Sequence, residues 1–148
     1  AKVRGQAITM AGARALPDRA RIRPEELGFM LGHLALIDVS PSPREYRFRL
    51  VGTAITARRG ADLTGQTTAA LRPARYRATI DSHFDAACEQ RRAVLYHVVL
   101  GLDSIKRSFR HIVLPFTSDG GAVDRLMAGV WADNRIEDVL QSPAFLES

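Results

Sequence analysis

Hydrophobic and polar positions change period several times along the 148 residues, and each change marks the edge of an element. Residues 1–15 show no clear period and read as a loosely held arm or a short lead-in helix. A helical pattern follows Pro24. Leu27, Met30, Leu31 and Leu34 recur at i, i+3, i+4 and i+7, which makes one apolar face. Pro24 with Glu25 and Glu26 suits a first helical turn, because proline tolerates that position and acids favour the positive end of the helix dipole. Leu34 to Val39 reads as a strand, so the helix ends near its start. The Ser40-Pro41-Ser42-Pro43 cluster breaks the strand, and Tyr46 to Gly52 then alternates, with Tyr46, Phe48 and Leu50 opposed to Arg47 and Arg49.

Thr53 to Arg59 predicts a short helix stopped by Gly60, and Asp62-Leu63-Thr64-Gly65 predicts a tight turn. The longest helix runs from Arg75 to Gln90, with Tyr76, Ile80, Phe84 and Ala87 or Cys88 on one stripe. Three strands follow: Ala93–Leu100, Ser108–Phe116 and Val123–Trp131, separated by turns at Asp103-Ser104 and at Ser118-Asp119-Gly120-Gly121. Residues 134–148 carry a short amphipathic helix around Ile136, Val139 and Leu140.

The order is helix, two strands, helices, three strands. It predicts an α+β domain with a five-stranded antiparallel sheet, helices inserted between strands 2 and 3, and an N-terminal helix. The third and fourth of these strands are apolar on both sides, so the sheet must be covered on both faces. The inserted helices supply one cover. The N-terminal helix, the C-terminal tail or a second subunit supplies the other, and a homodimer is the expectation.

Composition alters this picture little. A net charge of +5 invites a nucleic-acid reading, but the arginines are scattered with acids among them, and nucleic acid is not expected as a partner. The single cysteine, Cys88, leaves no internal disulfide framework. No apolar run reaches the roughly 20 residues that cross a bilayer, and the N-terminus lacks the apolar core of a signal peptide. No membrane association and a bacterial-type cytoplasmic location are the corresponding expectations.

Several short motifs together resemble a known family. Leu16-Pro17-x-Arg19, His33-Leu34 leading into Leu36-Ile37-Asp38-Val39, and Tyr46-x-Phe48-Arg49-Leu50-Val51-Gly52-Thr53 are similar to the PAS-like family common in alphaproteobacteria. Gly60-x-Asp62-Leu63-Thr64-Gly65 and Leu114-Pro115-Phe116 before Asp119-Gly120 continue the likeness, which spans residues 16–133. Arg23 departs from it, since an acid is expected there to cap the first helix. The resemblance implies a PAS fold with an N-terminal arm at 1–15 and a tail at 134–148. It also implies a sensory or regulatory role, in which the domain binds a small ligand or a partner signalling protein.

The pocket implied by strand and helix facing is bounded by Ile55, Ile80, His83, Phe84, Val98, Ile112 and Leu114. His83 resembles the axial ligand of haem-binding PAS domains, although a buried histidine satisfied by its neighbours is the more ordinary reading. Cys88 lies outside the Asn-Cys-Arg-Phe setting of flavin photosensors and reads as a small buried hydrophobe. His97 and His111 fall opposite each other if the turn centres on Ser104, and a one-residue change of register separates them.

Catalytic motifs are absent. There is no Gly-x-Ser-x-Gly elbow, Walker loop, dinucleotide fingerprint or His-Glu-x-x-His. Asp38, Asp62, Asp81 and Asp85 pair with no evident base, and Asp62 most simply serves its turn. No catalytic residue, metal site or cofactor is assigned. The rival reading is a small cone-fold enzyme of the cyclase or isomerase kind with an apolar pocket. It would place convergent polar groups of perturbed pKa in that pocket.

Overall fold

The computed structural model describes residues 2–9, as a backbone strand, and residues 31–148. It contains strands β1 (Lys2–Thr9), β2 (Leu34–Pro41), β3 (Arg44–Val51), β4 (Val94–Leu102), β5 (Ile105–Phe116) and β6 (Arg125–Ala132). Helices are α1 (Thr53–Arg59), α2 (Ala74–Gln90), α3 (Glu137–Leu140) and α4 (Pro143–Leu146). One six-stranded antiparallel sheet has the order β1-β4-β5-β6-β2-β3, and α1 and α2 are inserted between β3 and β4.

The five expected strands are all present as neighbours. The sixth is a correction to the loose arm: β1 pairs with β4 from Lys2↔Gly101 to Thr9↔Val94. Its own sequence, KVRGQAIT, alternates weakly because Gly5 and Ala7 interrupt the apolar positions. The pairing, rather than the local pattern, defines it. Of the expected N-terminal helix only Leu31–His33 is described, as a 3-10 turn that runs into β2. Pro24, Arg23 and the rest of that helix lie outside the described residues.

Local chemistry sets the joints. Gly60 ends α1 in the left-handed region at φ 78°, donating its N–H to the Thr56 carbonyl. Gly52 leads into α1 where the chain passes against Leu31 and Gly32, and a Cβ there would overlap both of their carbonyl oxygens. Asp62 holds its turn by accepting from the Thr64 N–H at 2.9 Å and the Thr64 hydroxyl at 2.7 Å. Asp38 on β2 accepts from Arg125 of β6 at 2.7 Å and from Arg49 of β3 at 3.3 Å, tying three adjacent strands together.

The inner face of the sheet carries Ala35, Ile37, Tyr46, Phe48, Val98, Phe109, Val113 and Leu126. Tyr76, Ile80, His83, Phe84 and Ala87 of α2 are buried with this layer. The tail completes it. Ile136, Val139 and Phe145 are fully buried, and the Gln141 side-chain amide donates to the Ala57 and Arg58 carbonyls at the end of α1. The outer face is also apolar, as the doubly apolar strands require. Leu34, Phe116 and Met127 are buried there beside half-buried Leu36 and Leu114.

Candidate functional site

Between the inner face and the inserted helices lies a cavity of about 70 Å³, walled by Phe48, Ile55, Ile80, Phe84, Phe109 and His111. Leu140 and Ile136 from the tail close one side. The only charged groups on its described lining are Arg58 and Arg59, at the end of α1. Their position follows from helical spacing: residues at i, i+3 and i+4 share a face, which places Ile55, Arg58 and Arg59 together.

Arg59 is held over the Tyr76 ring, with its Cζ 5.2 Å from the ring centroid, and its Nη1 is buried without a hydrogen-bond partner among the described residues. Arg58 Nη1 lies 3.4 Å from His33 Nδ1.

His111 of the cavity wall belongs to a buried imidazole pair. His83 of α2 and His111 of β5 approach Nδ1 to Nδ1 at 3.2 Å, and His83 stacks on Tyr96 with ring centroids 3.5 Å apart. Burial opposes the charged form of both rings. It lowers His83 to about 4, while burial and the neighbouring imidazole together lower His111 to about 3. At neutral pH both are uncharged, so one ring donates its Nδ1–H and the other accepts.

A second polar group lies at the edge of α2. The Tyr46 hydroxyl donates to Asp85 and contacts Cys88 Sγ at 3.9 Å, while Arg44 reaches Asp85 and Glu89 at 3.6 Å each. Burial and the Asp85 hydrogen bond push the Tyr46 phenol up, and burial pushes the Cys88 thiol up. Among the described residues no set of three or more His, Cys, Asp or Glu side chains is arranged to hold a metal.

The structure sorts the residues expected in the pocket. Ile55, Ile80 and Phe84 line the cavity. Val98 is fully buried on the same face, opposite Phe109, but does not reach the cavity wall. Ile112 and Leu114 are a correction. Phe109, His111 and Val113 point inward, which turns Ile112 and Leu114 to the other face, where Leu114 packs with Leu34, Phe116 and Met127. Both sides of β5 are apolar, so its sequence pattern carries no parity.

The opposed histidines need the same kind of correction. A two-residue turn pairs Leu102 with Ile105, which sets His97 against Arg110 and His111 against Tyr96. His97 is therefore exposed on the outer face while His111 is buried on the inner one.

The model for the PAS domain family designated PAS_5 matches residues 6–131. The chain belongs to the PAS domain family. PAS domains are sensory and regulatory, and the antiparallel sheet with its inserted helices is the corresponding fold.

No curated protein sequence matches this PAS domain. Among solved structures, it is similar to an RNA-binding light-oxygen-voltage receptor with TM-score 0.51 and 16% identity, over 95% of this chain and 42% of the receptor. At that identity the likeness concerns the fold, and the chain spans less than half of the receptor's length.

Haem does not fit this PAS domain as it stands. The cavity of about 70 Å³ is far smaller than the roughly 300 Å³ at which pockets for drug-sized ligands begin. His83 is turned to His111 and Tyr96 and lies outside the cavity lining. Sequence reasoning missed Arg58, Arg59 and Tyr96 as parts of the site. The arginine pair reads as solvated charge beside a turn, although its spacing from Ile55 was the available signal. Tyr96 becomes visible only once the β4–β5 register is fixed.

Proposed function

We propose that this PAS domain is a sensory or regulatory module that binds a small molecule in the cavity beneath α1 and α2 and passes the bound state to a partner protein or a second copy. The observation that carries the reading is the cavity itself: an apolar, half-enclosed space with a few polar groups at defined points, bounded by two inserted helices, the inner sheet face and the tail. Ligand occupancy would bear directly on the packing of α1 through Ile55, of α2 through Ile80 and Phe84, and of the tail through Ile136 and Leu140.

The enzyme reading is disfavoured by the chemistry of the polar groups. A general base works best with a pKa near the operating pH, whereas His111 is held near 3 by burial. Its hydrogen-bond partner is a second neutral imidazole, and no carboxylate lines the described cavity wall. The geometry therefore supports a binding site without a proton-transfer pair.

The outer sheet face supports self-association. Leu50 and Trp131 are 51% and 38% exposed beside the half-buried Leu36 and Leu114. Nucleic acid is not part of the reading; some of the described arginines are engaged by acids, Arg44 with Asp85 and Glu89, Arg47 with Glu45, Arg49 and Arg125 with Asp38.

Native mass spectrometry of the purified protein, compared with its denatured mass, tests the reading. A small non-covalent adduct that disappears on denaturation supports ligand sensing. A protein that stays unliganded against a broad metabolite panel contradicts it.

A further inference from the structure

The cavity has an apolar body and a cationic end, and the two observations together define a ligand class. Arg59 Nη1 is buried and meets no acceptor among the described residues. The Tyr76 ring beneath it offers a π face to the charge but accepts no in-plane hydrogen bond from the guanidinium. Neither Arg59 nor the adjacent Arg58 forms a salt bridge among the described residues, and no Asp or Glu stands on the described cavity wall.

The negative end of α1 explains why cations suit its last turn. It does not explain a buried donor that meets no acceptor among the described residues. A buried guanidinium nitrogen left unpaired is costly, and an anion is the group that relieves it.

We infer that the cavity receives a short-chain monocarboxylate, its carboxylate on the Arg59 guanidinium and its alkyl tail among Ile55, Ile80 and Phe84. The inference rests on the reading of this cavity as the ligand site. A planar guanidinium presents paired N–H donors that match the two carboxylate oxygens. The space sets the tail length. A cavity of about 70 Å³ holds on the order of five water-sized groups, which suits a chain of about four to six carbons. Phosphate and dicarboxylates fit poorly, because a second charge would lie against the aliphatic and aromatic part of the wall, away from its arginine end.

The test compares butanoate, butan-1-ol and butylamine, three probes of similar length with different heads. Each is titrated into the protein while the methyl resonances of Ile55 and Ile80 are followed by NMR. Butanoate is expected to bind about tenfold or more tightly than butan-1-ol, with butylamine weakest. Arg59→Met is expected to close the gap between butanoate and butan-1-ol, by weakening butanoate far more than butan-1-ol.

Arg59→Lys keeps the charge and loses the planar fork. It is expected to weaken butanoate about threefold or more, and it serves if the methionine variant does not fold. Equal affinity for butanoate and butan-1-ol overturns the carboxylate assignment and leaves the cavity as an apolar ligand site. No shift of either methyl with any probe overturns both.

Discussion

His83 and His111, 28 residues apart in sequence, meet Nδ1 to Nδ1 at 3.2 Å in the buried layer between α2 and β5. The contact needs at least one uncharged ring to accept, since two imidazolium rings would oppose each other with donors on both sides. It joins the longest helix to a central strand at the cavity wall, which His111 helps to form.

The pair makes stability depend on pH in a definite direction. Both histidines resist protonation in the fold, His83 to about 4 and His111 to about 3, while an unfolded histidine takes its proton near 6.5. The unfolded chain therefore binds more protons below 6.5. The contribution is complete above that pH and is lost as pH falls toward 4 and below. Chemical denaturation between pH 7.5 and 4.5 should show stability falling by about 1–3 kcal/mol per pH unit below pH 6. The double replacement His83→Leu, His111→Phe should flatten that slope. An unchanged slope in the double variant would show that other groups carry the acid sensitivity.

Removing one imidazole should cost more than its share of a normal hydrogen bond, because the other is left with an unpaired buried nitrogen. His111→Phe alone is expected to lose about 1–3 kcal/mol by urea denaturation at pH 7.5. The double variant should lose less than the two single losses added together. Strict additivity would mean that the two rings do not interact.

Asp38 separates two arginines of different worth. Arg125 is nearly buried at 11% side-chain exposure and makes two contacts to one carboxylate oxygen at 2.7 and 3.0 Å. Arg49 is 60% exposed at 3.3 Å. Arg125→Met is expected to cost about 1–2 kcal/mol and Arg49→Met less than about 0.5 kcal/mol. Equal losses in a thermal melt would remove the argument from burial.

Gly52 and Gly65 test two different reasons for glycine. Gly52 has an ordinary φ of −63°, so its requirement is the approach of the Leu31 and Gly32 carbonyls. Gly65 has φ 84° and open space around it. Gly65→Ala should cost about 1–2 kcal/mol from backbone strain alone. Gly52→Ala should cost more, because backbone rather than a flexible side chain must move. A neutral Gly52→Ala would place the Leu31–His33 turn elsewhere.

Most of the architecture is legible in the sequence, and the residues show why. Alternation at Tyr46 and Phe48, the stripe of Tyr76, Ile80 and Phe84, and the turn glycines fix element types by local chemistry. Leu50, expected on the face of Tyr46 and Phe48, is a correction, because a register shift between Leu36 and Ile37 turns it outward opposite Leu36. Two things are not local. The arm's identity as β1 depends on the free edge of β4, and the inward parity of β5 depends on a turn whose length differs by one residue from the centre at Ser104. That single step moves His111 from His97 to Tyr96. With Phe109 and Val113 turned inward, Ile112 and Leu114 fall on the far face. Arg59 was hidden for another reason: its charge argues for the surface, and only the packing of α1 buries its tip.

The most direct test of the central claim, that the space beneath α1 and α2 is a site which small molecules enter, is a xenon titration read on the isoleucine methyls. Xenon enters apolar cavities without needing a polar partner. Saturable shifts of Ile55, Ile80 and Ile136, with Ile105 and Ile112 unmoved, are the result this account predicts. Shifts absent from the first three, or equal at Ile112 on the far face, would contradict it.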